Sequence, residues 1–483
     1  MAQTTSKTAI QGTMWVMLER VSVQVCQFII GIVLARLLVP DDYGVIGMLA
    51  IFMAIAQSIL DSGFNRALIQ KKNRTNVDYS TVFYFNLVIS IVIYIIFYFS
   101  ASYIAEFYST PILEDVAKVV SLSVVINAFS LVQTTKLTIE LNFRLQTLAT
   151  LFSTILSGAL GIVMAYSGYG VWSLVAQIVS AALLRTGILI CFSHWKPLLV
   201  FSFDSFKKLF SFGSKLLVGD FIHTIYSNMY TLVIGKAFNA ADVGYYNRAN
   251  GFAMLSPSIF GQVINKVMFP VLSERQEDEK SMLNAYTQMF RMPMFFFVPF
   301  MFLIAALSEP IIITLIGEKW RACIPLMQVL CIGYIFSPLT YMNLNLLYVK
   351  GRSDISLKLD LIKKPIGILL LFASIPLGLW WMCFGKAIYD FIAFAMNCYY
   401  TKKIFNYGFF KQLDDIKEII LNSTLMFVIV LATIALFNSS IAQLIIGLMV
   451  GFIVYVIVAI MYKDPVLNMS VRFVKSRISR TSK

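Results

Sequence analysis

Residues 33–66 read VLARLLVPDDYGVIGMLAIFMAIAQSILDSGFNR, and residues 233–266 read VIGKAFNAADVGYYNRANGFAMLSPSIFGQVINK. Superposed without a gap at an offset of 200, Val33, Asp42, Gly44, Phe52, Ser58, Ile59 and Asn65 meet identical residues, while Arg36 and Arg66 meet Lys236 and Lys266. Asp, Asn, Gly and paired cations are scarce in apolar sequence, so their coincidence marks an internal repeat. Each copy closes one apolar run, turns at an Asp, and opens another. Six runs separate the copies, which gives both halves the same orientation and implies a parallel repeat about an axis normal to a membrane.

The composition requires such a membrane. Of 483 residues, 59% are apolar and 13% are charged, and the mean hydropathy is +0.78; soluble domains carry about 25% charge. At roughly 20 residues per spanning helix, that apolar content supplies on the order of fourteen spans and leaves almost nothing for a soluble domain. A cytosolic enzyme, a secreted disulfide scaffold and a transmembrane barrel are excluded, the last because its strands would alternate in short segments. Cys26, Cys191, Cys323, Cys331, Cys383 and Cys398 form no C-x-x-C pair, so they indicate neither zinc nor disulfides. The apolar stretch Trp15–Leu38 has no small-residue cleavage site and carries Glu19 and Arg20, which marks a retained first helix and not a signal peptide.

Apolar runs place the spans at 12–37, 44–66, 80–105, 115–137, 145–167, 170–193, 208–237, 244–271, 285–307, 324–349, 363–383, 385–401, 417–437 and 440–462. The expected fold is an all-α polytopic membrane protein of about 14 transmembrane helices. It comprises an N-lobe over 1–200, a C-lobe over 201–403, each of six helices, and two further helices with a basic tail over 404–483.

The net charge of +14 is mostly topological. Connections 67–79, 194–208, 350–364 and 402–417 are basic, whereas 38–43 and 106–114 carry only acidic charge. Positive residues accumulate on the cytoplasmic side, so both termini are expected in the cytoplasm, with no nucleic acid as partner. Nine of the 13 prolines fall between Pro257 and Pro376, with Pro257, Pro293, Pro299 and Pro338 inside expected spans. Each frees a backbone carbonyl and favours bending of the second lobe.

The stretch Leu34-Ala-Arg-Leu-Leu-Val-Pro-Asp-Asp-Tyr-Gly44, followed by Leu60-Asp-Ser-Gly-Phe-Asn-Arg-Ala-Leu-Ile-Gln70 and Asp78-Tyr-Ser-Thr-Val-Phe83, resembles the polysaccharide transporters of the MOP superfamily. More narrowly it is similar to Wzx-type oligosaccharide flippases of the colanic and teichuronic acid exporter branch. A weaker likeness covers the rest, including Asp242-Val-Gly-Tyr-Tyr-Asn-Arg248. The resemblance implies translocation of undecaprenyl-diphosphate-linked oligosaccharide across the bacterial inner membrane, through two lobes around a cationic lumen. It also implies partnership with membrane lipid and with the polymerase and chain-length machinery. No cofactor is expected beyond a coupled proton or sodium ion.

Ionisable groups within spans are functional candidates, because they are expensive unless they face a cavity or a partner. Arg20 stands sixteen residues before Arg36, the relation the resemblance gives to a lumen arginine of lipid-linked precursor flippases; Arg248 matches a second substrate-contacting arginine there. Lys215, Asp220 and His223 lie along the repeat partner of the first span. Arg66 and Lys266 mark the repeat-related mouths, and Arg291 is a further cation within a span. Cations suit a diphosphate, Arg as a bidentate fork and Lys as a compact charge. Glu19, Asp61, Asp220, His223 and Asp390 are candidates for ion coupling.

Two other functions compete. A cation-coupled multidrug exporter needs an acidic cavity, and a membrane-embedded glycan polymerase needs a large external loop. The first-lobe charges are mixed, no large loop occurs, and no G-x-x-x-x-G-K-[ST] phosphate loop is present.

Overall fold

The computed structural model describes residues 2–61, 63–464 and 466–467; the side chains of residues 2–14, 16–20, 212, 215 and 216 lie outside the described set. Among the described residues all regular structure is helical, and the chain divides into two compact units, Met1–Gly244 and Tyr245–Lys483.

The first unit contains α1 (Ala2–Leu37), α2 (Pro40–Asp61), α3 (Phe64–Gln70), α4 (Asn76–Phe107), α5 (Ile112–Val120), α6 (Leu122–Ile139), α7 (Phe143–Tyr166), α8 (Val171–Phe192), α9 (Phe203–Ala237) and the first turn of α10 (Ala240–Ser273). Within it α7 packs between α1 and α8, α6 packs on α4 and α8, and α2 packs on α9. Pro40 opens α2, where its missing N–H is no loss and its φ suits a helix start. A capping box starts α4: the Thr75 hydroxyl accepts from the Asp78 amide at 3.2 Å, and the Asp78 carboxylate accepts from the Thr75 amide at 2.8 Å. Lys71 Nζ, 2.6 Å from the Asp78 carboxylate, completes this buried anchor.

Connections of this unit alternate between two faces. On one, the ends of α3, α4, α6 and α9 share a core of Phe64, Leu68, Tyr79, Phe83, Trp195 and Leu209, with Ile139 and Phe206 packed against it. On the other, Lys236 Nζ donates to the Phe107 carbonyl at 2.7 Å, and Gly170 lies against the Asp42 carboxylate. That alternation is what an up-and-down helical bundle requires. The basic connections 70–76 and 193–203 fall on the first of these faces.

The second unit continues α10 and adds α11 (Glu279–Ala306), α12 (Ser308–Leu315), α13 (Cys323–Tyr334), α14 (Phe336–Val349), α15 (Ser353–Ser374), α16 (Leu379–Phe405), α17 (Phe409–Ile434) and α18 (Ser440–Met461). Here α17 packs on α11 and α18, and α16 packs on α13 and α15. Lys350 Nζ donates to the Gln276 carbonyl at 3.1 Å and stands 5.9 Å from the Phe405 ring. Tyr407 meets Tyr286 edge-on at 5.7 Å. One face thus gathers the ends of alternate helices again. At the other, Arg321 Nη1 donates to Glu309 at 2.8 Å.

Among the described residues, ten segments are long and apolar enough to cross a membrane: Pro40–Gln70, Asn76–Phe107, Ile112–Ile139, Phe143–Tyr166, Val171–Phe192, Glu279–Ala306, Cys323–Val349, Leu379–Phe405, Phe409–Ile434 and Ser440–Met461. The other long helices, α9, α10 and α15, carry more polar residues among their apolar ones, and α1 includes the shorter apolar stretch Val21–Leu37.

Three expected single spans are each two helices. The first breaks at Gly63, where φ is +72° and an added Cβ would sit 2.5 Å from Gly213 Cα. Another breaks at Ser121. The third breaks at Ile335, because Pro338 cannot donate to the Tyr334 carbonyl and its ring crowds it.

The expected division between residues 383 and 385 is corrected as well: α15 ends at Ser374, and a short turn with Pro376 and Gly378, at φ +100°, leads into α16 at Leu379. Pro and Gly set this boundary without any charged punctuation. Pro257, Pro293 and Pro299 are helix-internal as expected, joined by Pro270 and Pro365, whereas Pro338 lies in the first turn of α14.

Candidate functional site

The first unit places a mixed-charge cluster where α2 passes into α3. Asp61, at the last turn of α2, takes a hydrogen bond from Gln57 and faces Arg66, Asp220 and Arg185 electrostatically. Arg66 Nη1 is 3.4 Å from Asp220 Oδ2 on α9, with side chains 61% and 49% exposed. So open a pair is held loosely and contributes at most about 1 kcal/mol, which leaves the guanidinium exchangeable toward another anion. Asn65 Nδ2 donates to Asp61 at 3.5 Å, and Thr135 Oγ1 on α6 donates to Asn65 Oδ1 at 2.9 Å. His223 is exposed one turn beyond Asp220.

The second unit repeats part of this arrangement. Asn265, the repeat partner of Asn65, accepts from Asn345 Nδ2 on α14 at 2.7 Å, and Lys266 beside it is exposed. Neither Thr135 nor Asn345 was singled out by sequence; the available signal was an amide or hydroxyl inside an apolar run. In lipid such interhelical bonds are worth about 0.6–2 kcal/mol each.

Toward the start of α10, the Arg248 guanidinium lies 5.9 Å from the ring of buried Trp320, and Tyr245 meets that ring edge-on at 6.2 Å. Further along, Tyr334 donates to Asn250, and Lys386 Nζ stands 5.3 Å over the Tyr334 ring. Asp390, one turn after Lys386, has its Oδ2 buried without a hydrogen-bond partner among the described residues, and Tyr341 faces both charges. Four helices, α10, α13, α14 and α16, thus converge on one polar interior.

Arg291 is placed differently. Its Nη2 donates to Glu418 and Asp464, both at 2.8 Å, tying α11 to α17 and to the turn after α18, where Asp464 is 2% exposed. The side chains of Arg20, Glu19 and Lys215 lie outside the described residues. Among the described residues no cluster of His, Cys, Asp and Glu fit to hold a metal occurs.

Long apolar helices interrupted by charged ones, with ionisable groups gathered inside each unit, define a polytopic membrane protein with internal polar sites. Residues 33–325 match the family model described as polysaccharide biosynthesis protein, and the chain belongs to that family. It is 25% identical over 373 residues to the teichuronic acid biosynthesis protein TuaB of Bacillus subtilis (strain 168), spanning 76% of this chain and 75% of that relative. It is 24% identical over 328 residues to the succinoglycan biosynthesis transport protein ExoT of Rhizobium meliloti (strain 1021), spanning 68% of this chain and 66% of the relative. The fold matches the lipid II flippase MurJ in an inward closed conformation, with a TM-score of 0.75 at 17% identity over 94% of this chain and 99% of the other.

Proposed function

We propose that this protein is a flippase that moves a lipid-linked oligosaccharide between membrane leaflets by alternating access, and is a transporter, not an enzyme. One observation carries the reading: α9, α10 and α15 are long helices that carry ionisable residues among apolar ones, Asp220 and His223, Arg248 and Lys266, and Asp360 and Lys363 respectively. Sugar hydroxyls and a diphosphate cannot pass through hydrocarbon without partners, since each unpaired polar group costs several kcal/mol there. Charged helices supply the partners. A relative named as a transport protein and a fold shared with a lipid II flippase support the same reading.

In this reading the protein crosses a bacterial inner membrane fourteen times, as two lobes of six helices and two added helices, with both termini cytoplasmic. Arg66, Lys266 and Arg248 bind the diphosphate, together with Arg20 and Lys215. Arg66 exchanges Asp220 for the substrate, while Arg291 holds the bundle together. Asp61, Asp220 and Asp390 are the sites for a coupled ion, with Glu19 and His223 as outlying candidates. The product passes to polymerase and chain-length machinery on the far side.

The test uses proteoliposomes holding a fluorescent polyprenyl-diphosphate oligosaccharide, with leaflet transfer read by a membrane-impermeant quencher. Protein-dependent transfer is expected, reduced at least tenfold by the combined Arg66→Gln and Lys266→Gln changes. Transfer no faster than in protein-free vesicles would sink the proposal.

A further inference from the structure

A cavity of about 360 Å³ lies within the first unit, apart from the charged cluster of Asp61 and Arg66, and is bounded by α4, α6, the end of α8 and residues 193–197. Its lining includes Phe83, Phe129, Gln133, His194, Trp195 and Lys196. The wall is built deliberately. Segment 193–203 is strapped to α4 by Leu198 N–H donating to Ser80 Oγ at 2.8 Å and Ser202 N–H donating to Thr81 Oγ1 at 3.1 Å. Trp195 is thereby pressed edge-on against Phe83 at 5.9 Å and Tyr79 at 6.3 Å. The motif Asp78-Tyr-Ser-Thr-Val-Phe83 serves this wall: Asp78 caps α4, Ser80 and Thr81 hold the strap, and Tyr79 and Phe83 seat the indole.

Two of the lining residues each carry a buried polar atom with no hydrogen-bond partner among the described residues: Gln133 Oε1, an acceptor, and Trp195 Nε1–H, a donor. Their side chains are 2% and 6% exposed. Buried polar atoms are nearly always paired, so one orphan acceptor and one orphan donor beside the same cavity call for a ligand bearing both a hydroxyl and an oxyanion. Lys196 and His194 are exposed at the rim, and no carboxylate lines the cavity. The flank around it is apolar and open: Ile190 is 43% exposed, Phe192 61% and Leu199 93%.

We propose that this cavity binds the head group of an anionic glycerophospholipid of the phosphatidylglycerol type. The phosphate accepts from Trp195 Nε1–H and pairs with Lys196, a glycerol hydroxyl donates to Gln133 Oε1, and the acyl chains lie along the exposed apolar flank. The cavity falls at the low end of small-ligand sites, roughly 300–1,000 Å³, which suits a head group and excludes an oligosaccharide diphosphate. An ethanolamine head group is disfavoured, because its ammonium would sit beside Lys196. The site is therefore a lipid site separate from the transported substrate.

The experiment is native mass spectrometry of the full-length protein in detergent, titrated with dioleoyl-phosphatidylglycerol, dioleoyl-phosphatidylethanolamine and soluble glycerol phosphate. One tight phosphatidylglycerol is expected, bound at least tenfold more strongly than the other two. Lys196→Gln, an exposed change that leaves the wall intact, is expected to weaken it severalfold, and Trp195→Phe with Gln133→Met at least tenfold. A second readout is Cys191, which lines the cavity and is exposed whereas four of the six cysteines are buried: its maleimide labelling is expected to slow when phosphatidylglycerol is added. Equal binding of the ethanolamine lipid, glycerol phosphate binding as tightly as the lipid, or unchanged binding in both variants would each overturn the proposal.

Discussion

Gly44 and Gly244 make the same contact in reverse: a Cβ on Gly44 would lie 1.7 Å from the Ala240 carbonyl oxygen, and one on Gly244 would lie 2.1 Å from that of Pro40. The four positions are two repeat pairs, 40 with 240 and 44 with 244. The turns ending α1 and α9 join the same two repeat positions with donor and acceptor exchanged, Val39 N–H donating to the Asp42 carboxylate at 3.1 Å and Asp242 N–H donating to Asn239 Oδ1 at 2.9 Å. The start of α2 and the first turn of α10 therefore meet backbone on backbone through reciprocal contacts. Gly44→Ala and Gly244→Ala are each expected to push these helix starts apart, at about 1–3 kcal/mol by analogy with overpacked cores. Thermal unfolding in detergent checks this, and an unchanged midpoint in both variants would refute the close contact.

Arg291 bridges two carboxylates, one of them buried. Arg291→Met is expected to destabilise the second unit by about 3 kcal/mol, because Asp464 is left charged and uncompensated. Adding Asp464→Asn should recover a good part of the loss. If the double variant is as unstable as the single one, the pair does not carry the effect.

The Asn65–Thr135 and Asn265–Asn345 bonds predict equivalent behaviour in the two repeats. Thr135→Val and Asn345→Leu should each cost on the order of 1 kcal/mol, measured by urea or thermal unfolding. A large effect in one repeat with none in the other would argue against their equivalence.

Ser80 and Thr81 hold segment 193–203 through two side-chain bonds. Ser80→Ala with Thr81→Val removes about 1 kcal/mol per bond and leaves α7 and α8 untouched. Hydrogen exchange should rise within 196–203 and stay constant in α7. Unchanged exchange in the strap would show that other contacts hold it.

Arg66 and Asp220 form a half-exposed pair, so Arg66→Gln is expected to change stability by less than about 1 kcal/mol while slowing leaflet transfer roughly tenfold. A matched fall in stability and transport would reassign Arg66 to architecture.

Much of the bundle was legible in sequence because lipid imposes a one-dimensional rule. Backbone polar groups must be satisfied within each segment, so apolar run length alone marks a helix. The offset between Asp42 and Asp242 was legible for a related reason: a turn between spans uses the few polar residues that an apolar sequence contains. Gly63, Pro338 and the Pro376–Gly378 turn were less visible as breaks, since hydropathy does not register backbone constraint.

The charged positions divide differently. Sequence located Arg66, Asp220, Arg248, Arg291 and Asp390 as ionisable groups in apolar surroundings, which is a statement about cost. Only the tertiary structure showed that Arg291 is committed to Glu418 and Asp464 while Arg66 meets Asp220 in the open. Gln133 and Trp195 carried no signal, and Lys196 counted only toward the basic connection 194–208, because a cavity exists only where distant segments fail to fill the space between them. Run length and composition thus determined by themselves that this chain is an all-helical, multi-pass membrane bundle. Which charges are locked in pairs, which backbones touch at Gly44 and Gly244, and where a binding space remains were decided by packing between residues far apart in sequence.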